Sequence, residues 1–275
     1  MINVCFCLDS KFLKPLEISV FSILKNTKFN ISFHIIKVDS FSEENLIDLV
    51  SSFGGNIHFY EMDINLPSKG RFSKAMYGRL YMDRLLPEEV DKVIYLDCDI
   101  VVNKCISSLW NANIGNRILG AVPEIRSMIK SSLMRRFNLS DYFNSGVLLV
   151  NLNKIRLSNK FQDVIKLIES ESIDFDYPDQ DALNIVINDD WHKLDPVFNY
   201  MESKISYDAV IVHYALSKPW DFGFNENSHF YNEYFRVYPY TLPYFKNDHK
   251  KESLYDILKR HVTHPIRAIY WYLIK

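Results

Sequence analysis

Val93-Ile94-Tyr95-Leu96-Asp97-Cys98-Asp99-Ile100-Val101-Val102 sets two acids inside an otherwise apolar, β-branched run. Side chains of a strand alternate between faces, so Asp97 and Asp99 are predicted to share one face while Cys98 points to the other. Like charges one strand step apart repel, and their burial is costly unless a cation, a shared proton or a catalytic task resolves the repulsion. The stretch reads as a divalent-metal site, with a strand end whose acids meet solvent as the alternative. Hard carboxylate oxygens favour Mg²⁺ or Mn²⁺ over soft ions.

Outward from this stretch, apolar runs with strand character recur at 3–8, 31–38, 57–62, 92–96, 118–122 and 146–151. Helical patterns separate the earlier ones: Leu16 to Leu24 is apolar at helical spacing, and Ser42-Glu43-Glu44-Asn45 reads as a helix N-cap with acids in the first turn. The alternation predicts βαβ units and an open, mostly parallel sheet flanked by helices. In such sheets ligands bind beyond the carboxyl ends of the strands, where Asp9 and the Asp97/Asp99 pair fall. Helices are also expected over 161–171 and, after an acid-rich start, over 177–186.

With 275 residues, 48% of them apolar, the chain can bury one large α/β core. A net charge of −2 supplies no global field for nucleic acid, so no nucleic-acid partner is expected and any anion site must be built locally. Cys5, Cys7, Cys98 and Cys105 match neither a zinc spacing nor a redox CxxC, which fits a reduced compartment. There is no basic leader and no apolar run of about 18 residues. The expectation is a cytoplasmic protein, peripheral at most on the inner face of a membrane. Composition turns aromatic and basic after Trp220, which places a catalytic domain at 1–245 and a tail at 246–275. Lys250, Lys251, Lys259, Arg260, Arg267 and Lys275, mixed with Ile266, Ile269, Tyr270, Trp271, Leu273 and Ile274, suit either an anionic membrane surface or a docked C-terminal helix.

Three further clusters can carry chemistry. His213 ends a β-branched run and Lys218 follows five residues later, which places an imidazole and an ammonium on one loop, as a metal-diphosphate requires. An imidazole ligand shifts the choice of ion toward Mn²⁺. Asp179-Gln180-Asp181 also suits a plain helix N-terminus, with Asp179 as the cap. Tyr142-Phe143-Asn144-Ser145-Gly146-Val147 sets a polar pair and a glycine before an apolar strand, which turn chemistry alone would explain.

Taken in order, these segments resemble glycosyltransferase family 8, the group of glycogenin and the bacterial lipopolysaccharide glucosyl- and galactosyltransferases. Tyr77-Gly78-Arg79-Leu80 is similar to its Y-x-R-[LF] segment, Asp97-Cys98-Asp99 to its DxD, and Phe143-Asn144-Ser145-Gly146-Val147 to its FN[AS]G[VI]. Asp179-Gln180-Asp181 is similar to its DQD, and His213 through Trp220 to its HYxGxxKPW. The resemblance runs from about Ile2 to Trp220 and implies a GT-A, Rossmann-like nucleotide-sugar transferase fold. It also implies a UDP-hexose donor, glucose or galactose, Mn²⁺ with Mg²⁺ as the alternative, and transfer with retention of configuration. The acceptor would be a saccharide or glycolipid, in bacterial cell-surface polysaccharide or lipopolysaccharide synthesis.

By the same resemblance Asp97, Asp99 and His213 would hold the metal, with Asp97 also reaching the donor ribose and Lys218 the diphosphate. Asp9 would read uracil, and Phe12 stands where a tyrosine often stacks on that base. Arg79, Asn144, Asp179 and Gln180 would surround the donor sugar, Gln180 and Asp179 as the catalytic pair, and Glu124 stands on the acceptor side where several relatives carry Asp. The last motif, His213-Tyr214-Ala215-Leu216-Ser217-Lys218-Pro219-Trp220, is one residue shorter than the family form and lacks its glycine.

Two other classes compete. Leu96 to Val101 also resembles the aspartyl-nucleophile motif of haloacid-dehalogenase-type phosphatases, with Asp189-Asp190 as the later acid pair and Asp97 as nucleophile. Against it, some ninety residues of βαβ character precede Asp97, where that motif usually opens its domain. A non-catalytic sugar or nucleotide binder is the other. Within the transferase class, seventeen tyrosines leave room for glycogenin-like self-glucosylation, although most tyrosines serve packing.

Overall fold

The computed structural model describes residues 1–67, 73–215, 217–220 and 225–240. The proposed boundary at 245 and the basic, aromatic tail lie outside the described residues. Strands in chain order are β1 (Ile2–Leu8), β2 (Ile31–Lys37), β3 (Asn56–Glu61), β4 (Lys92–Leu96), β5 (Ile100–Val102), β6 (Leu119–Pro123), β7 (Phe143–Asn151), β8 (Trp191–Lys193) and β9 (Ile211–His213). The helices are α1 (Leu13–Asn26), α2 (Glu44–Ser52), α3 (Met82–Leu85), α4 (Ser107–Trp110), α5 (Ser127–Phe137), α6 (Leu152–Ser158), α7 (Lys160–Glu169), α8 (Pro178–Ile187) and α9 (Ser228–Val237). No helix among the described residues is long and apolar enough to cross a membrane.

Seven strands form one sheet in the order β3-β2-β1-β4-β7-β6-β8. Its pairings are parallel except at β7, which runs antiparallel to both β4 and β6. Reversal of that one strand brings the start of β7 beside the end of β4, so Asn144, Ser145 and Gly146 come level with Asp97. The Asp97 amide donates to the Gly146 carbonyl at 2.8 Å.

Both faces of the sheet are buried, and strand alternation sorts the residues between them. Val4, Phe6, Leu8, Ile94 and Leu96 pack with α1, α2 and the small β5–β9 ribbon. Cys5, Cys7, Val93 and Tyr95 pack with α6, α7, α8 and the 3₁₀ segment Lys74–Tyr81. Gly78 is what lets that segment lie against β1, since a Cβ there would fall 1.9 Å from Cys7 Sγ and 2.8 Å from Cys7 Cβ. Arg79 is thereby carried to the end of β4.

Several local expectations are corrected. Strand β4 stops at Leu96, so Asp97-Cys98-Asp99 is a turn into β5, and strand alternation is not what brings the acids together. Ser19 Oγ on α1 lies 2.7 Å from the carbonyl oxygens of both Cys98 and Ile100 and anchors the turn from beneath. Asn144 and Ser145 stand inside β7, which begins at Phe143. The second helix starts at Glu44 after Glu43, whose side chain makes no cap, in place of the expected Ser42 cap. Asp179 follows Pro178 in the first turn of α8, and the residue at the cap position is Tyr177.

His34 gives the fold a pH dependence. It lies opposite His58 across β2 and β3, with the rings stacked at 5.3 Å, and its Nδ1 is 2.9 Å from Tyr60 Oη. Burial, aided by His58, lowers its pKa to about 4 from 6.5. Between those values the unfolded chain binds a proton that the native one refuses, so stability falls as pH drops from 6.5 toward 4, by roughly 3 kcal/mol. Urea titrations over this range should show the loss and a shallower slope in His34→Gln. An identical slope in the variant would locate the sensitivity elsewhere.

Candidate active site

The site assembles at the carboxyl end of β4 and the start of β7. The β5–β9 ribbon pairs Ile100 with His213, and the Tyr214 amide donates to the Asp99 carbonyl at 2.9 Å. These backbone bonds bring an imidazole from far along the chain to the two acids. His213 Nε2 lies 3.4 Å from Asp99 Oδ1 and 3.8 Å from Asp97 Oδ2, and one ligand atom from each residue falls within 4.8 Å of the other two.

Lys218 pairs with the other oxygen of Asp99, Oδ2, and donates to the Tyr214 carbonyl at 2.9 Å. Burial works to raise the Asp99 pKa, but Lys218 and His213 outweigh it and hold the carboxyl well below its usual range. Asp97 is held on its other side, where Oδ1 accepts from Arg79 Nη2 at 2.8 Å and from Tyr95 Oη at 3.0 Å. Two carboxylates and an imidazole nitrogen are a donor set for a hard or borderline divalent ion, and the residues present fit one.

A wall of amides adjoins this centre. Gln180 Oε1 accepts from Asn144 Nδ2 and from the Ser145 amide, each at 3.0 Å, while Gln180 Nε2 donates to Tyr142 Oη at 3.1 Å. Tyr142 Oη in turn donates to Asp181 Oδ1 at 2.5 Å. Asp181 Oδ2 accepts the amides of Asp176 and Tyr177, both at 2.9 Å, and burial pushes its pKa up to about 7. Asp179 Oδ2 accepts from Ser145 Oγ at 3.1 Å and lies 3.3 Å from Arg79 Nε. Burial raises the Asp179 pKa, and Arg79 opposes the rise.

Arg79, Asp97, Asp99, Asn144, Asp179, Gln180, His213 and Lys218 thus form one continuous polar assembly. The other anticipated residues are engaged elsewhere. Asp9 stands just past β1, with Oδ1 accepting the Lys11 amide at 3.1 Å and Oδ2 accepting Ser73 Oγ at 2.6 Å. Phe12, half-buried, precedes α1. Both Glu124 oxygens are taken by Arg126, from Nε and Nη2 at 2.8 Å each, and Arg126 Nη1 donates to Tyr177 Oη at 3.0 Å. The phosphatase alternative loses its second acid pair, since Asp189 accepts from Ser140 and Asp190 pairs with Lys154 at 3.3 Å.

Tyr95, Ser145 and Asn199 belong to the assembly without having been assigned a role from sequence. Tyr95 had a signal, the period-2 alternation that puts it on the Asp97 face. Asn199, fully buried, had none: it sits at the end of the short Pro196–Phe198 turn.

Residues 3–223 match the model of glycosyl transferase family 8. The chain belongs to this family. A provisionally named glycosyltransferase of Haemophilus influenzae is 32% identical over 192 residues, 66% of this chain and 58% of that relative, so the match spans little more than half the relative's length. A lipopolysaccharide 1,2-glucosyltransferase of Escherichia coli is 29% identical over 283 residues, covering 91% of this chain and 83% of the relative. The galactosyltransferase LgtC, crystallised with donor and acceptor sugar analogs, shares the fold with a TM-score of 0.73 at 23% identity, over 88% of this chain and 98% of LgtC. The central sheet, mostly parallel and covered by helices on both faces, is that of the GT-A glycosyltransferases.

Proposed function

We propose that the chain is a retaining hexosyltransferase that moves glucose or galactose from a UDP-sugar to a saccharide or glycolipid acceptor in cell-surface polysaccharide or lipopolysaccharide synthesis. The observation that carries this reading is the convergence of Asp97, Asp99 and His213 beside Lys218 and against the Asn144–Gln180 wall. The glucosyl- and galactosyltransferase names of the relatives support the hexose and the acceptor class.

In this reading Asp97, Asp99 and His213 Nε2 hold Mn²⁺, with Mg²⁺ as a weaker substitute. When bound, such an ion supplies Lewis-acid stabilisation of the charge that develops on a departing diphosphate. Lys218 adds a second positive charge there, Asp9 and Phe12 receive the uracil, and Glu124 lies toward the acceptor.

Retention requires either double displacement or attack on the face from which the nucleotide leaves. The hydrogen bonding of Gln180 supports same-face attack. Its Oε1 already accepts two N–H groups, and an amide so engaged is a poor nucleophile. Asp179 is tied to Arg79 and Ser145. Both side chains then orient the sugar, and the acceptor hydroxyl gives its proton to the departing phosphate oxygen.

The test is turnover of UDP-glucose and UDP-galactose with Mn²⁺ or EDTA, with UDP release and product configuration read by NMR. The expected outcome is an α-linked product from an α-linked donor, no UDP release in EDTA, and UDP binding weakened in Asp99→Ala by more than the roughly 10–100-fold typical of an outer-shell loss. An inverted product, or UDP binding as tight in EDTA, would overturn the reading.

A further inference from the structure

A chain of buried hydrogen bonds runs from His213 to Asp181, and its direction is set by two backbone amides. The Ser145 amide donates to Gln180 at 3.0 Å, which makes the receiving atom the carbonyl Oε1 and leaves Nε2 to donate to Tyr142. The Gly146 amide donates to Asn144 at 3.0 Å, which makes that atom Oδ1 and leaves Nδ2 to donate to Gln180. Asn144 Oδ1 also lies 2.9 Å from Asn199, and two carbonyl oxygens cannot bond, so the Asn199 atom facing it is Nδ2. Asn199 must then turn Oδ1 to His213 Nδ1, 2.8 Å away, and an acceptor there demands that Nδ1 carry the proton. In the neutral ring Nε2 is then left with its lone pair toward Asp97 and Asp99.

We infer that Asn199 is a positioning residue that selects the Nδ1–H tautomer of His213 and couples that choice to the orientation of Asn144 and Gln180. The inference rests on the metal-dependent transferase reading for its consequence in catalysis, but not for the tautomer. Asn199 is 1% exposed and His213 3%, so bulk solvent does not compete for either group. The two halves of the Asn199 amide have separate tasks: Oδ1 serves the ion-binding imidazole, and Nδ2 serves the wall beside the sugar.

The two tasks can be separated by substitution in the full chain. Asn199→Asp keeps an acceptor for His213 Nδ1–H and loses the donor to Asn144, whereas Asn199→Leu loses both. With UDP present, Mn²⁺ affinity measured by electron paramagnetic resonance is expected to drop about 10–100-fold in Asn199→Leu. In Asn199→Asp it should stay within a few-fold of wild type, while kcat falls about tenfold or more and the KM for UDP-sugar changes little. Equal Mn²⁺ affinity in the two variants would overturn the division of tasks.

A second measurement needs no ligand and no variant of Asn199. Long-range ¹H–¹⁵N spectra of histidine-labelled protein, with His213 assigned through His213→Gln, report which ring nitrogen is protonated. A proton on Nδ1 supports the inference, and a neutral ring protonated on Nε2 alone in the wild type ends it. If the wild type binds no Mn²⁺ even with UDP, the transferase reading fails, and the spectrum still decides the role of Asn199.

Discussion

Gly146→Ala is expected to abolish metal-dependent UDP binding while leaving the secondary structure in place. A Cβ on residue 146 would lie 2.3 Å from His213 Cε1, 2.7 Å from Asp97 Oδ2 and 2.9 Å from His213 Nδ1. The atoms in the way are an imidazole ring and a short carboxylate. The ring is held by Asn199 at 2.8 Å, and the carboxylate by Arg79 at 2.8 Å, so relief of the clash must separate the two ligands. Overpacking of this kind costs about 1–3 kcal/mol in stability, a modest loss for a large core. The loss of the site is the larger effect. Calorimetry of UDP with Mn²⁺ should give no heat attributable to a metal-bridged complex, while far-UV circular dichroism matches wild type. Wild-type UDP affinity in this variant would mean that the three ligands do not act on one ion.

Arg79→Met should destabilise the fold by about 3–5 kcal/mol and remove activity together with it. Arg79 is 4% exposed, lies 4.5 Å over the ring of Tyr95, pairs with Asp97 and Asp179, and donates to the carbonyls of Ser145 and Met76. Burial opposes its charge, yet the surrounding acids hold it firmly protonated. Without the guanidinium, the buried Asp179 carboxylate and the partly buried Asp97 carboxylate lose their shared counter-charge, and two carbonyls lose their donor. Methionine replaces the packing but none of these bonds, so the measured cost is electrostatic. Urea denaturation gives the magnitude, and the double variant Arg79→Met/Asp97→Asn should recover part of it, because one stranded charge is then gone. A loss below about 1 kcal/mol would show that the acids accept solvation or protonation without strain.

These two residues illustrate how unevenly the chain could be read from its sequence. Gly146 stood in plain view within Phe143 to Val147, yet a glycine before an apolar run has an ordinary explanation as a turn. Its reason is steric and comes from His213, sixty-seven residues later. Asp179 likewise suited a helix cap on local grounds, and only the family resemblance placed it at the donor sugar; its carboxylate goes to Arg79 and Ser145. The β-branched run of β4 and the helical spacing of α1 were legible because burial on one face imposes a period that local sequence must carry.

By itself, then, the sequence determined the α/β alternation, the faces on which Tyr95 and Leu96 fall, and the residue types able to bind a divalent ion. Each of these depends on neighbours within a few positions, where side-chain period and chemical identity act directly. The tertiary structure decided the antiparallel insertion of β7, the approach of His213 to Asp97 and Asp99, and the tautomer that Asn199 imposes. Those depend on backbone pairing between distant segments: Leu96 with Val147, and Ile100 with His213. No local pattern encodes such pairing, because the partners meet only once the strands between them have been placed, and the direction of every buried amide follows from the backbone donor it then faces.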